Sequence, residues 1–183
     1  QCLDSIGLEL VSMATGFLET MLDRQGQPDA TYNGVRLWEG WLASDGPGIA
    51  FRLAQLRAMP ELLPWLMYAI VRRSDSQMVG HVGFHGAPGL HSLGDLAPDA
   101  LEIGYSVFPP YRRRGYAVAA AKALIQWANT DRGITFFVAS INHENIASQG
   151  VAAEGGFKFY RDFDPTDPDR EDIYTMRLGP DKT

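Results

Sequence analysis

Cysteine is nearly absent from this chain: Cys2 is the only one among 183 residues. That count excludes an internal disulfide and a cysteine-based zinc site, and it leads to the expectation of a reducing, cytoplasmic setting. Positive charge is also scarce, with 16 Lys and Arg against 22 Asp and Glu and a formal net charge of -6. Binding nucleic acid by counterion release needs many clustered cations on one face, so no nucleic-acid partner is expected. No apolar run approaches the roughly 18 residues of a membrane span, and the first residues lack a basic segment leading into an apolar one; no membrane partner is expected. Neither G-x-x-x-x-G-K-[ST] nor G-x-G-x-x-G occurs, which removes the P-loop and weighs against a Rossmann-type nucleotide switch.

What is present is ordinary globular composition, 45% hydrophobic and 21% charged, in a length suited to one domain. "LELV" (Leu8 to Val11) reads as a strand, and the four-residue recurrences of Phe17 with Met21 and Leu18 with Leu22 read as a helix. A polar connection from Asp23 to Gly34 and the punctuation "DGPG" precede a second helix marked by Ile49, Leu53 and Leu56 and ended by Pro60. "WLMYAIVRR" and "MVGHVGF" form an expected antiparallel hairpin, followed by a loop from Gly86 to Ala100.

"LEIGYSVF" (Leu101 to Phe108) alternates between two faces and is stopped by Pro109 and Pro110. A helix with Ala117, Ala121, Leu124 and Ala128 on one stripe runs from Gly115 to Gly133. The apolar run Ile134 to Ile141 predicts a central strand, "ENIASQGVAAE" a shorter helix ended by Gly155 and Gly156, and "FKFYRDF" and "DIYTMRL" the last two strands. The fold class is therefore α/β: a mixed sheet of about seven strands with flanking helices, in one domain spanning 1–183.

The chemistry concentrates in "SVFPPYRRRGYA". Arg112, Arg113 and Arg114 stand where a strand hands over to a helix, whose first turn exposes unpaired N–H groups carrying partial positive charge. With Gly115 permitting close approach to the backbone, this junction suits a diphosphate.

"RRRGYA" fits the [Q/R]-x-x-G-x-[G/A] signature of the GNAT superfamily of N-acetyltransferases, with Arg112, Gly115 and Ala117 in its fixed positions. "EIGYSVFPPYRRRGYAVAA" and "NHENIASQGVAAEGGF" together resemble the branch containing the ribosomal-protein N-terminal (alanine) acetyltransferases. The resemblance extends over a core at 8–178 and implies the acyl-CoA N-acyltransferase fold, a single mixed, mostly antiparallel sheet splayed between the fourth and fifth of its seven strands, with acetyl-CoA as co-substrate and no metal. It implies that the backbone of Val107 and Phe108 pairs with the pantetheine arm. The amides and side chains from Arg112 through Arg113, Arg114, Gly115 and Tyr116 to Ala117 would hold the pyrophosphate, and Asn142 and Asn145 would contact the arm or its neighbouring loop. Asn142, Asn145 and Ser148 equally fit the role of helix caps.

The implied reaction is acetyl transfer to a primary amine, of a protein or peptide N-terminus or of a small molecule. A base must first take a proton from the acceptor, and Glu102 is the candidate. Many relatives place a tyrosine acid in the last helix; here that position is Ala152, which leaves Ser148 or water for the role. The departure keeps a second reading open, a non-catalytic acyl-CoA-binding or interaction domain of the same fold. A homodimer is also left open by the resemblance.

His81 and His85 alternate onto one face of their strand; with no third ligand nearby they make a poor metal site, and packing is their ordinary meaning, with His85 carried forward as a contributor to the acceptor pocket. Trp38 and Trp41 fit either core packing or the acceptor side. The acidic segment Asp162 to Asp172 reads as a solvated loop or an attractor for a cationic amine.

Overall fold

The computed structural model describes residues 2–24, 27, 29–89, 99–162, 166 and 170–179. Along the chain run α1 (Cys2–Ser5), β1 (Leu8–Ser12), α2 (Thr15–Asp23), the two-residue strands β2 (Thr31–Tyr32) and β3 (Val35–Arg36), and α3 (Trp41–Ala58). They are followed by β4 (Met67–Arg72), β5 (Gln77–Phe84), β6 (Leu101–Val107), α4 (Tyr116–Arg132), β7 (Phe136–Asn142), α5 (Ile146–Gly155), β8 (Lys158–Arg161) and β9 (Glu171–Arg177). All seven expected strands are present, and their order in the sheet is β1-β4-β5-β6-β7-β9-β8. Neighbours are antiparallel except β6 and β7, while β3 adds a one-residue parallel bridge from Arg36 to Gln77. The expected loop from Gly86 to Ala100 lies mostly outside the described residues.

The central break in the sheet is visible in the register. β6 pairs with β5 as far as Val107, and β7 pairs with β9 as far as Asn142. Between them only Leu101 with Phe137 and Glu102 with Val138 are paired. Beyond Glu102 the two parallel strands part, as the splay between the fourth and fifth long strands requires.

Each sheet face has its own apolar layer. On one side α4 lays Ala120, Ala121, Leu124, Ile125 and Ala128 against Val82, Phe84, Ile103 and Phe137, the small residues letting the helix axis approach the strands. On the other, Phe17, Leu18 and Met21 of α2 and Ile49, Leu53 and Leu56 of α3 cover Ala69, Val71 and Met78. Glycines in the left-handed region bound α4 at both ends, Gly115 with φ 73° and Gly133 with φ 70°.

Two expectations are corrected. "DGPG" does not interrupt the chain before Ile49: α3 begins at Trp41 and continues through Gly46, Pro47 and Gly48. A proline in a helix interior costs roughly 3 kcal/mol. Here it falls in the second turn, between Trp41 at 0% and Ile49 at 1% exposure, and burying two such side chains offsets that local penalty at roughly 1.5–3 kcal/mol each. The polar connection from Asp23 to Gly34 likewise contains β2, which pairs with β3 through Thr31 with Arg36 and Tyr32 with Val35.

Candidate active site

The three arginines are exposed at the start of α4, where no side chain supplies a capping bond to the first turn. The backbone turns sharply there: Arg113 has φ 61° and Gly115 φ 73°. A non-glycine residue in the left-handed region is uncommon and marks a tight loop, here one that leaves the first amides of α4 uncovered. Arg112 folds back, its Nε donating to the Val107 carbonyl at 2.9 Å. The loop is braced from the hairpin: Arg72 lies 5.3 Å from the Tyr111 ring centroid and donates to Asp75 at 2.9 and 2.6 Å. Those bonds from Arg72 hold the Asp75 carboxyl below the usual range.

Adjacent to this turn the alternation of antiparallel pairing decides which backbone groups face the splay. Phe108 donates its N–H to Val79 and His85 donates to Glu102, so the even-numbered residues of β6 bond to β5. Tyr105 and Val107 therefore turn their amides the other way, toward β7. By the same logic His143 donates to Arg170, which puts the odd residues of β7 on β9 and turns Ser140 and Asn142 toward β6. The Phe108 amide is thus taken by Val79 and its carbonyl accepts from the Tyr111 amide at 2.9 Å, so the edge that faces the gap belongs to Tyr105 and Val107 rather than to Phe108.

Across the gap Tyr105 donates its hydroxyl to the Ser148 carbonyl at 3.0 Å. Burial first, and then Tyr174, push the Tyr105 phenol up to about 12. Asn142 accepts from the Glu144 amide at 2.9 Å, and Asn145 caps α5 by accepting from the Ser148 amide at 3.1 Å. Both asparagines are exposed and shape the loop beside the splay. Ala152 is 1% exposed and faces the core from α5.

On the opposite face a cavity of about 340 Å³ lies between α3 and the sheet, lined by Trp41, Ile49, Arg52, His81, His85 and Ser106 among others. Its floor is bare because Gly83 and Gly104 are cross-strand partners. Trp41 stacks on His81 with centroids 5.4 Å apart, and Trp38 stacks on Phe108 at 4.6 Å, so both tryptophans pack while Trp41 also walls the cavity. His85, whose ordinary reading from sequence is packing, lines the cavity with its Nδ1 3.3 Å from Glu102 Oε1. The Glu102 side chain is 15% exposed and does not line the cavity.

Arg52 was not singled out by the sequence, although it stands three residues after Ile49 on the cavity side of α3. Its Nη1 donates to the His85 carbonyl at 3.1 Å and to Gln55 at 2.8 Å. Burial pushes the guanidinium down from its ordinary value, and the Glu102 carboxylate acts in the opposite sense. The middle of the acidic segment from Asp162 to Asp172 falls on residues 163–165 and 167–169, outside the described residues. Among the described residues no group of three or more His, Cys, Asp or Glu could hold a metal, and no helix is long and apolar enough to cross a membrane.

A mixed sheet that parts between two parallel strands, a cationic helix entry at the mouth of the gap and a cavity behind it define the acyl-CoA N-acyltransferase class of fold. Residues 30–158 match the acetyltransferase (GNAT) domain family, and the chain belongs to that family. The uncharacterized N-acetyltransferase YjdG of Bacillus subtilis (strain 168) is 32% identical over 90 residues, 49% of this chain and 49% of that protein. The chain spans about half the length of the curated relatives it matches, as with YnaD of the same organism at 28% over 97 residues, 50% of this chain and 52% of that protein.

Among solved structures, a GnaT-family acetyltransferase from Bordetella pertussis aligns with a TM-score of 0.68 and 20% identity over 93% of this chain and 95% of that one. A structure of RimL, a ribosomal alpha-N-protein acetyltransferase in complex with coenzyme A, aligns with a TM-score of 0.67 and 16% identity over 96% of each. At these identities the common property is the fold.

Proposed function

We propose that this chain is an acetyl-CoA-dependent N-acetyltransferase acting on a primary amine. The observation that carries the reading is the gap in the sheet, where β6 and β7 keep only two residue pairs beside the Arg112–Ala117 cradle. An amide-bearing arm can add to such an edge as a strand does, while a diphosphate meets the exposed arginines and uncovered amides of α4. The residues fit the group. Val107 and Tyr105 would bond the arm, Asn142 and Asn145 would shape its far wall, and Arg112, Arg113, Arg114, Gly115, Tyr116 and Ala117 would hold the diphosphate.

Acetyl-CoA supplies the acetyl thioester. The chain supplies position, charge and proton traffic. The Val107 amide, turned toward the gap, is placed to donate to a developing oxyanion. An acceptor amine is largely protonated near neutrality, so one proton must leave before it can act as a nucleophile, and Glu102 is the carboxylate toward which that proton is drawn. Ser148 Oγ is proposed to hold the proton the leaving sulfur needs, since the aligned tyrosine position is the buried Ala152. A single domain with its core from Leu8 to Leu178 and a cytoplasmic setting accompany this reading; the lone cysteine supports the latter.

Thiol release from acetyl-CoA, followed over a panel of small amines and of peptides with free N-termini, tests the proposal and sorts the two acceptor classes. Acceptor-dependent release supports it. Coenzyme A binding with silence across the panel selects instead the non-catalytic acyl-CoA-binding reading, which Ala152 motivates.

A further inference from the structure

We infer that His85 is the group that takes the proton from the acceptor amine, and that Glu102 is a positioning residue acting through it. This inference rests on the acetyltransferase reading and divides between two residues the role given there to the carboxylate. The geometry is asymmetric in a telling way. His85 lines the cavity behind the gap and Glu102 does not, although the two side chains touch, Nδ1 to Oε1 at 3.3 Å. The imidazole is 39% exposed and the carboxylate 15%. An amine entering the cavity meets the ring first.

The other ring nitrogen points where the chemistry needs it. A Cβ on Gly104 would stand 2.7 Å from His85 Nε2 and farther, at 3.4 and 3.9 Å, from the ring carbons on either side of it, so the ring turns its Nε2 edge toward the bare backbone of the cavity floor, into space that only glycine leaves open. The main chain under the ring is fixed from two sides, by the His85 amide donating to the Glu102 carbonyl at 2.9 Å and by Arg52 Nη1 donating to the His85 carbonyl at 3.1 Å. A carboxylate oxygen 3.3 Å from Nδ1 favours the proton on that nitrogen, the tautomer whose Nε2 carries the lone pair. The charged and titratable groups facing the ring are Glu102 from β6, Arg52 from α3 and His81 from β5.

The step balances without a further reactant. An N–H bond of the acceptor ammonium breaks and an Nε2–H bond forms. The electron pair stays on the amine nitrogen as its nucleophilic lone pair, and the imidazolium returns the proton to solvent.

Two measurements test this. Ring nitrogen NMR on the protein labelled in histidine reads the neutral tautomer of His85: Nδ1–H is expected in the wild type, moving toward Nε2–H in Glu102→Gln, and Nε2–H in the wild type would overturn the proposal. Thiol release on the best acceptor of the panel should fall by about 10²-fold or more in His85→Ala, with coenzyme A binding kept and the rate restored in part by added imidazole. His85→Gln provides the same reading should the alanine variant fold poorly. A His85 variant that binds coenzyme A and keeps the wild-type rate and pH profile would refute the role. If the wild type itself turns over no acceptor, the enzyme reading fails, and the tautomer still decides the pairing.

Discussion

The Tyr105 hydroxyl donates to the main-chain carbonyl of Ser148 at 3.0 Å, joining β6 to α5 across the place where the sheet has parted. Nothing in the strand ladder connects the two halves beyond Glu102, so this side chain bridges a gap that backbone pairing leaves open. Tyr105→Phe is expected to cost about 1 kcal/mol, a typical net value for one hydrogen bond, and to loosen α5 against β6. Amide exchange of α5 in the two proteins measures it; equal exchange would show that the tie contributes nothing.

The same phenol makes a prediction about alkali. Its ionisation lies near 12 in the folded protein against about 10 when unfolded, because burial disfavours the phenolate. Between those values the unfolded chain has lost a proton that the folded chain keeps. Stability tied to Tyr105 is therefore complete below pH 10 and is lost as pH climbs toward 12. Ultraviolet titration of tyrosinate should show a late-ionising class that is one residue smaller in Tyr105→Phe.

Gly115 is required by conformation rather than by space, since a Cβ there would meet no atom within 4 Å while φ is 73°. Gly115→Ala should cost about 1–2 kcal/mol, visible as a drop of a few degrees in Tm, and should weaken coenzyme A binding by distorting the cradle. A variant with unchanged melting and unchanged affinity would contradict the geometry.

Gly104 behaves in the opposite manner, needing space and not an unusual φ. A Cβ there would press on the end of the His85 side chain, which can yield by rotating off its contact with Glu102, so Gly104→Ala should melt near the wild type yet lose most of its acetyl transfer. Paired melting and thiol-release assays separate the two effects, and full activity would show that the position of the imidazole is immaterial.

How much of this was legible beforehand differs by element. The strand and helix periods of Leu101–Val107 and Tyr116–Arg132 are local properties, and the structure places both elements where the pattern does. The start of α3 is not local: Pro47 and its flanking glycines argue for a break, and only the burial of Trp41 against Phe108 and His81 overrides them. The turn that carries Arg112 to Ala117 from β6 into α4 was readable because its residues are contiguous. The cavity was not, because Arg52, His85 and Gly104 come from three separate elements and meet only through the register of β5 with β6 and the docking of α3. His85 thus looked like packing until its neighbour across the sheet was known to be Glu102.

The account depends most on the gap and its cationic mouth receiving coenzyme A. Titration calorimetry of the wild type and of Arg113→Ala/Arg114→Ala with coenzyme A tests this directly. One ligand per chain is expected, with affinity at least tenfold lower in the double variant, because bonds between charged partners are worth about 1.5–3 kcal/mol each. No heat with the wild type, or the same affinity in both proteins, would contradict it.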